Sequence, residues 1–225
     1  MGTRFILPAL CVLLLWGCKE KAEKIAEEPT IFEVEKPKKL PRELLKITQF
    51  AGVSLSDSID IHSQIRFKTI DLNGTIDSVN MEKGIELYKK RMKSGKGDLY
   101  PIFEVTGMED VVVTTASKGY GGNIRGMFLI DATSLQIKKV EFEHVAESEG
   151  YGATIADTSF ENQFMGATVN FGKNSFGLNL NGKILLEGVK TIDGISGATT
   201  TSRLTIEMVN NDLKKYKPYF EAKGK

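Results

Sequence analysis

The chain has 225 residues, 41% of them hydrophobic and 26% charged, with a net charge of +1. That is the make-up of one globular domain with appendages, or of two small domains at most, and it excludes both a disordered chain and a polytopic membrane protein. A charge so close to neutral leaves no basic footprint for nucleic acid, so no nucleic-acid partner is expected.

The first segment is a leader. Arg4 precedes the apolar run FILPALCVLLLW, residues 5–16, which contains Pro8. The run is shorter than the roughly 20 apolar residues of a comfortable membrane span and suits the apolar part of a secretory signal. Gly17-Cys18 follows, then the abrupt switch to KEKAEKIAEEP. This junction resembles the lipobox of bacterial lipoproteins, in which Cys18 would be acylated and become the first residue of the mature chain. Trp16 stands where that pattern usually has a small residue. Two readings stay open: a lipoprotein cleaved before Cys18, or a short uncleaved anchor. Either one tethers the rest of the chain to the outer face of the cell membrane. Residues 19–39 are charged and read as a solvated tether. Cys11 and Cys18 are the only cysteines, and the two histidines, His62 and His144, lie far apart. No Cys/His cluster exists, so no metal is expected.

From residue 40 the pattern becomes that of a folded domain, expected to run to about residue 220, with 221–225 as a tail. PRELLKITQFAG (41–52) predicts a short helix, with Pro41 in its first turn, Leu44, Ile47 and Ala51 on one face and Gly52 at its end. IRFKTIDLNGTIDSV (65–79) reads as a hairpin around Asn73-Gly74. Met81 to Met92 is a second helix. EDVVVTTAS (109–117) is a buried strand, and IRGMFLID and QIKKVEFEH form a hairpin around ATSL. Ser159 is placed to N-cap the short helix FENQF. LNLNGKILLE is another hairpin, around Asn181-Gly182. A last helix runs from Arg203 to about Tyr216, with Ile206, Val209, Leu213 and Tyr216 as its apolar stripe and Pro218 as a stop. Hairpins predominate and no βα repeat occurs. The expected class is α+β, a single domain of antiparallel sheet packed with a few helices.

The segment most suggestive of chemistry is DGISGATTTS (193–202), with five hydroxyl residues and two glycines just before the last helix. A helix N-terminus presents unpaired N–H groups and positive partial charge, and so seats a phosphate well. Gly197 and Ala198 let the backbone approach a bulky ligand. Ser196, Thr199, Thr200, Thr201 and Ser202 offer hydroxyls to donate or to be esterified, and Thr201 or Ser202 is placed to cap the helix. A glycine turn and a hydroxyl cap need no ligand, so physics alone leaves both readings standing.

Asp193, Ser196-Gly197-Ala198-Thr199 and Ser202 together resemble the D-x-x-[ST]-G-A-T-x-[TS]-S motif of covalent FMN-binding domains. That family includes NqrC of the sodium-translocating NADH:quinone reductase and RnfG of the Rnf complex. The resemblance extends to SKGYGGNIRGMFLID (117–131) and to ESEGYGATIADTSFENQFMG (147–166), which is similar to the family's E-T-P-G-L-G segment and the helix after it. Here Ser148, Glu149 and Tyr151 replace threonine, proline and leucine. The likeness spans roughly residues 40–220 and is stronger to the NqrC type than to the RnfG type. It implies FMN joined through a phosphoester to Thr199 and installed outside the membrane by a flavin transferase. It also implies contacts from Asp193, Ser196, Gly197, Ala198, Thr200 and Ser202, and from the glycine-flanked aromatics Tyr120-Gly121 and Gly150-Tyr151-Gly152. Tyr120 and Tyr151 are the candidates for the flavin ring. The implied role is electron carriage as a subunit of an oxidoreductase complex, with its other subunits as partners. Two rival readings remain: a free-standing flavin lipoprotein serving another extracytoplasmic chain, and an envelope lipoprotein that binds no flavin. Glu147 and Glu149, on the loop between, read as a solvated face.

Overall fold

The structure is a computed structural model that describes residues 40–53 and 61–224. The leader, Cys18 and the charged tether lie outside the described residues. In chain order the elements are α1 (Arg42–Phe50), α2 (Ile61–Gln64), β1 (Ile65–Asp71), β2 (Ile76–Ser78), α3 (Met81–Ser94), β3 (Leu99–Val105), β4 (Asp110–Lys118), β5 (Asn123–Asp131) and β6 (Ile137–His144). A 3₁₀ turn (Gly152–Ala156), α4 (Thr158–Glu161), β7 (Phe176–Leu180), β8 (Lys183–Leu186), β9 (Lys190–Asp193), α5 (Thr199–Lys215) and α6 (Lys217–Lys223) complete them.

The expected α+β class holds. Six strands form an antiparallel sheet in the order β2-β1-β3-β4-β5-β6. Side chains alternate between its two faces, and both are covered. Phe67, Phe103, Val112, Met127 and Leu129 pack with Leu44 and Ile47 of α1 and Ile85, Tyr88 and Met92 of α3. The intervening residues Ile102, Val111, Val113, Phe128 and Ile130 pack on the other face with Ile206, Val209 and Leu213 of α5 and with Tyr216, the residue after it. Strands buried on both faces explain the near-continuous apolar run at 111–113. The second sheet has the order β8-β7-β9, and β9 runs parallel to β7. This parallel pair departs from the wholly antiparallel expectation. KTID (190–193) is too short and too polar to read as a strand.

Other elements also differ from the sequence reading. The short helix begins two residues earlier, with Asp157 rather than Ser159 in the cap position and no side-chain cap bond. The last helix begins at Thr199, not Arg203, and its cap position is Ala198, so neither Thr201 nor Ser202 caps it. Pro218 does not end the chain's helical content. It sits in the first turn of α6, where its missing N–H costs nothing.

Two features fix α5 against the main sheet. β3 and β4 pair from Ile102–Val113 to Glu104–Val111. Past that point side chains of α5 and the residue after it take the place of a neighbouring strand. The Tyr216 hydroxyl donates to the Thr114 carbonyl at 2.9 Å and accepts from the Thr114 N–H at 3.3 Å. Burial pushes that hydroxyl up to about 12, so it stays protonated. The Asp212 carboxylate accepts from the Ala116 N–H at 2.9 Å. Arg91 of α3, on the opposite face, reaches the same carboxylate through the opening, with its guanidinium 4.8 Å from the centre of the Tyr100 ring. Arg91 and Asp212 are both buried.

Removing one partner of a buried ion pair strands the other charge. Asp212→Ala is therefore expected to cost about 3–5 kcal/mol of folding stability, read from urea unfolding. A second prediction concerns Glu104, buried near α6. Burial pushes its carboxyl up, but the Tyr219 hydroxyl and the Lys68 ammonium outweigh burial and hold it below the ordinary 4.5. A depressed folded-state value stabilises the fold above the unfolded-state value, and that stability is lost as pH falls through the folded value. Glu104→Gln should thus lose less stability than the native chain between about pH 5 and pH 2, as measured by urea midpoints across that range.

Candidate functional site

The β4–β5 turn, the loop after β6 and the start of α5 meet at one end of the main sheet. Register places them there: Lys118 pairs with Asn123 and Ile124 with His144, so the chain beyond each strand emerges on the same side. Together they line a cleft of about 430 Å³, bounded by Tyr120, Glu147, Ser148, Tyr151, Gly152 and residues 197–201. Small-molecule clefts typically span about 300–1,000 Å³. A groove of about 570 Å³ beside β6 is lined by none of the candidate site residues.

The α5 wall of the cleft is built first. Asp193 ends β9, and its carboxylate accepts from the Asn179 side chain at 2.9 Å. Its backbone N–H and C=O are both held by the Gln163 amide, at 2.7 and 3.2 Å. The loop then folds back on the helix it precedes, with the Ile195 N–H donating to the Ser202 hydroxyl at 2.9 Å. Gly197 turns the chain with φ +76°, and a Cβ there would lie 2.8 Å from the Tyr151 ring. Only glycine tolerates both demands. α5 starts directly afterwards with no side-chain cap, which leaves its first N–H groups and their positive partial charge facing the cleft.

Glu147 holds the three segments together. One carboxylate oxygen accepts from the Gly121 N–H and the other from the Thr201 hydroxyl, both at 2.8 Å. Its neighbours must be small. A Cβ at Gly119 would come within 2.6 Å of one oxygen, and a Cβ at Gly152 within 2.5 Å of the other. Glu147 is 6% exposed. This corrects the reading of a solvated acidic face, which holds for exposed Glu149 alone. The alternating glycines around it carried the signal, since a buried side chain can be what demands them.

The residues named from the sequence divide accordingly. Tyr120, Tyr151, Gly152, Gly197, Ala198, Thr199 and Thr200 line the cleft. Thr199 and Thr200 are exposed, while Thr201 and Ser202 are buried with their hydroxyls engaged. Tyr120 and Tyr151 stand at the rim, 75% and 56% exposed. Gly121 contributes its N–H to Glu147, Gly150 bends the loop with φ +71°, and Asp193 anchors the loop from outside the cleft. Ser196 is exposed and outside the lining. Among the described residues no cluster of metal-binding side chains occurs, and no helix is long and apolar enough to cross a membrane.

Residues 119–214 match the family model of the FMN-binding domain. This stretch, just under half of the chain, is similar to an FMN-binding domain. The match contains every residue that lines the cleft. No curated protein matches the sequence. Among solved structures, the NqrC protein of the Na(+)-translocating NADH-quinone reductase from Parabacteroides distasonis superposes with a TM-score of 0.61 at 24% identity. The match covers 79% of this chain and 90% of that one. Shewanella oneidensis NqrC superposes with a TM-score of 0.58 at 21% identity, over 80% and 95% of the two chains. At these identities the likeness establishes a shared fold. The cleft fits an FMN chemically: an uncapped helix start for its phosphate, a glycine that keeps the wall low, and two exposed aromatic faces for its ring.

Gly152→Ala in this domain would drive a methyl group into the Glu147–Thr201 hydrogen bond. We expect a loss of about 1–3 kcal/mol, measured by urea unfolding, whereas Gly172→Ala, on an exposed turn away from the cleft, should change stability by less than about 0.5 kcal/mol.

Proposed function

We propose that the cleft holds FMN through a phosphoester to the Thr199 hydroxyl, and that the protein carries electrons as a tethered, extracytoplasmic subunit of an NADH:quinone reductase or a related membrane complex. The observation that carries this reading is the state of the hydroxyls. Of the three threonines opening α5, Thr201 is committed to Glu147, while Thr199 and Thr200 stand exposed, and of these Thr199 holds the first helical position and follows Ser196-Gly197-Ala198 directly, inside the matched domain. The fold shared with two NqrC structures supports NqrC as the functional model.

Bound there, FMN would supply the capacity to accept and release electrons. The protein's own residues do the rest. The first N–H groups of α5 offset phosphate charge, as helix starts do. Tyr120 and Tyr151 offer faces for a planar ring and leave it near solvent, within reach of a partner. A phosphoester would retain the cofactor in a compartment without a flavin pool. The leader and Cys18 would supply the membrane tether, and a flavin transferase the attachment.

Two measurements check the assignment. After co-expression with a flavin transferase, the peptide of residues 191–203 should carry one added FMN by mass spectrometry, and the denatured chain should fluoresce on a gel. Thr199→Ala should abolish both while changing stability by less than about 0.5 kcal/mol, since the side chain is exposed. A fluorescent band that survives this change would place the acceptor elsewhere.

A further inference from the structure

Three carboxylates are buried among the described residues: Glu104, Glu147 and Asp212. Two of them are matched by cations. Glu104 has Arg66, Lys68 and Lys223, and Asp212 has Arg91 and Lys215. Glu147 has none. Its two oxygens meet only the neutral donors Gly121 N–H and Thr201 O–H. A buried charge without a counter-charge is costly to keep. A glutamine has the same shape and would still accept from Gly121 and engage Thr201, so clamping the three segments does not by itself demand a charge. Glu147 also lines the cleft itself.

We propose that Glu147 is an electrostatic tuning residue, a fixed negative charge in the cleft wall that lowers the reduction potential of the flavin bound beside it. The inference rests on the reading that the cleft holds FMN. Each electron that enters the ring, from a donor protein in the cell or from dithionite in a titration, adds a unit of negative charge. A like charge held in a poorly solvated wall opposes that addition and favours the oxidised form. Thr201 moderates the effect, because its hydroxyl dipole points its positive end at the carboxylate.

The test is a reductive titration of the flavin-loaded full-length chain with dithionite and mediator dyes. Glu147→Gln should favour the reduced flavin by about tenfold at a given potential, a rise of about 59 mV if one electron enters and about 30 mV if two enter together. Thr201→Val should move the potential in the opposite direction, because it leaves the charge and removes one of its donors. Glu149→Gln, an exposed carboxylate outside the cleft lining, should leave it unchanged. Mere loosening of the site would move the first two variants the same way, and that result, or an unchanged potential in Glu147→Gln, overturns the proposal. Should Glu147→Gln fail to fold, the Thr201→Val shift decides alone: downward supports the proposal, and upward or absent overturns it. A native chain that takes up no flavin overturns the functional reading and this inference together. A loaded native chain with unresponsive variants overturns only the inference.

Discussion

The position of α5 depends on one buried contact, the pairing of Arg91 with Asp212 through the opening between β3 and β4. The two residues belong to helices on opposite faces of the sheet, and the carboxylate also takes up a β4 N–H that no strand serves. Tyr216 does the same one residue pair further along. A helix held this way has little freedom to slide or rotate, because any shift would break hydrogen bonds inside an apolar core. Asn210 adds a third point, pairing with both the N–H and the C=O of Phe176 in β7. The first turn of α5, about three to four turns away, inherits this precision. The site is therefore carried on a rigid element whose other end is locked to both sheets.

Around that first turn the chain is organised by exclusion as much as by attraction. Glu147 sits where Gly119 and Gly152 leave room for its carboxylate, Gly121 leaves room for the Ala146 carbonyl, and Gly197 leaves room for the Tyr151 ring. Each glycine answers a specific neighbour, so the loops cannot be exchanged one for another. The outcome is a cleft whose floor is polar and fixed and whose rim is aromatic and open. That division suits a cofactor attached at one end and exposed at the other.

Much of this was legible in the residues. Hairpins announced themselves through Asn73-Gly74 and Asn181-Gly182, and the stripe Ile206, Val209, Leu213, Tyr216 marked the face of α5 that is now buried. The small-residue run at 196–202 pointed to the helix start and the cleft wall. Other features could not be read from local pattern. β9 exists because β7 lies beside it, not because KTID prefers to be extended. α5 begins four residues early because the loop is tied down by Ser202, which frees Thr199 to Thr201 to be helical despite modest intrinsic propensity. The burial of Glu147 arises from three segments far apart in sequence, and its local context, Ala146-Glu147-Ser148-Glu149, resembles an ordinary surface turn.

The opening between β3 and β4 also sets an order of events during biosynthesis. The groups that close it come from residues 91, 212 and 216, while the backbone they satisfy lies at 114 and 116. Until the ribosome has released the stretch that contains Asp212 and Tyr216, the middle of the sheet has a seam that nothing can seal. Contacts of such long sequence separation form late. An emerging chain thus stays incomplete until α5 arrives.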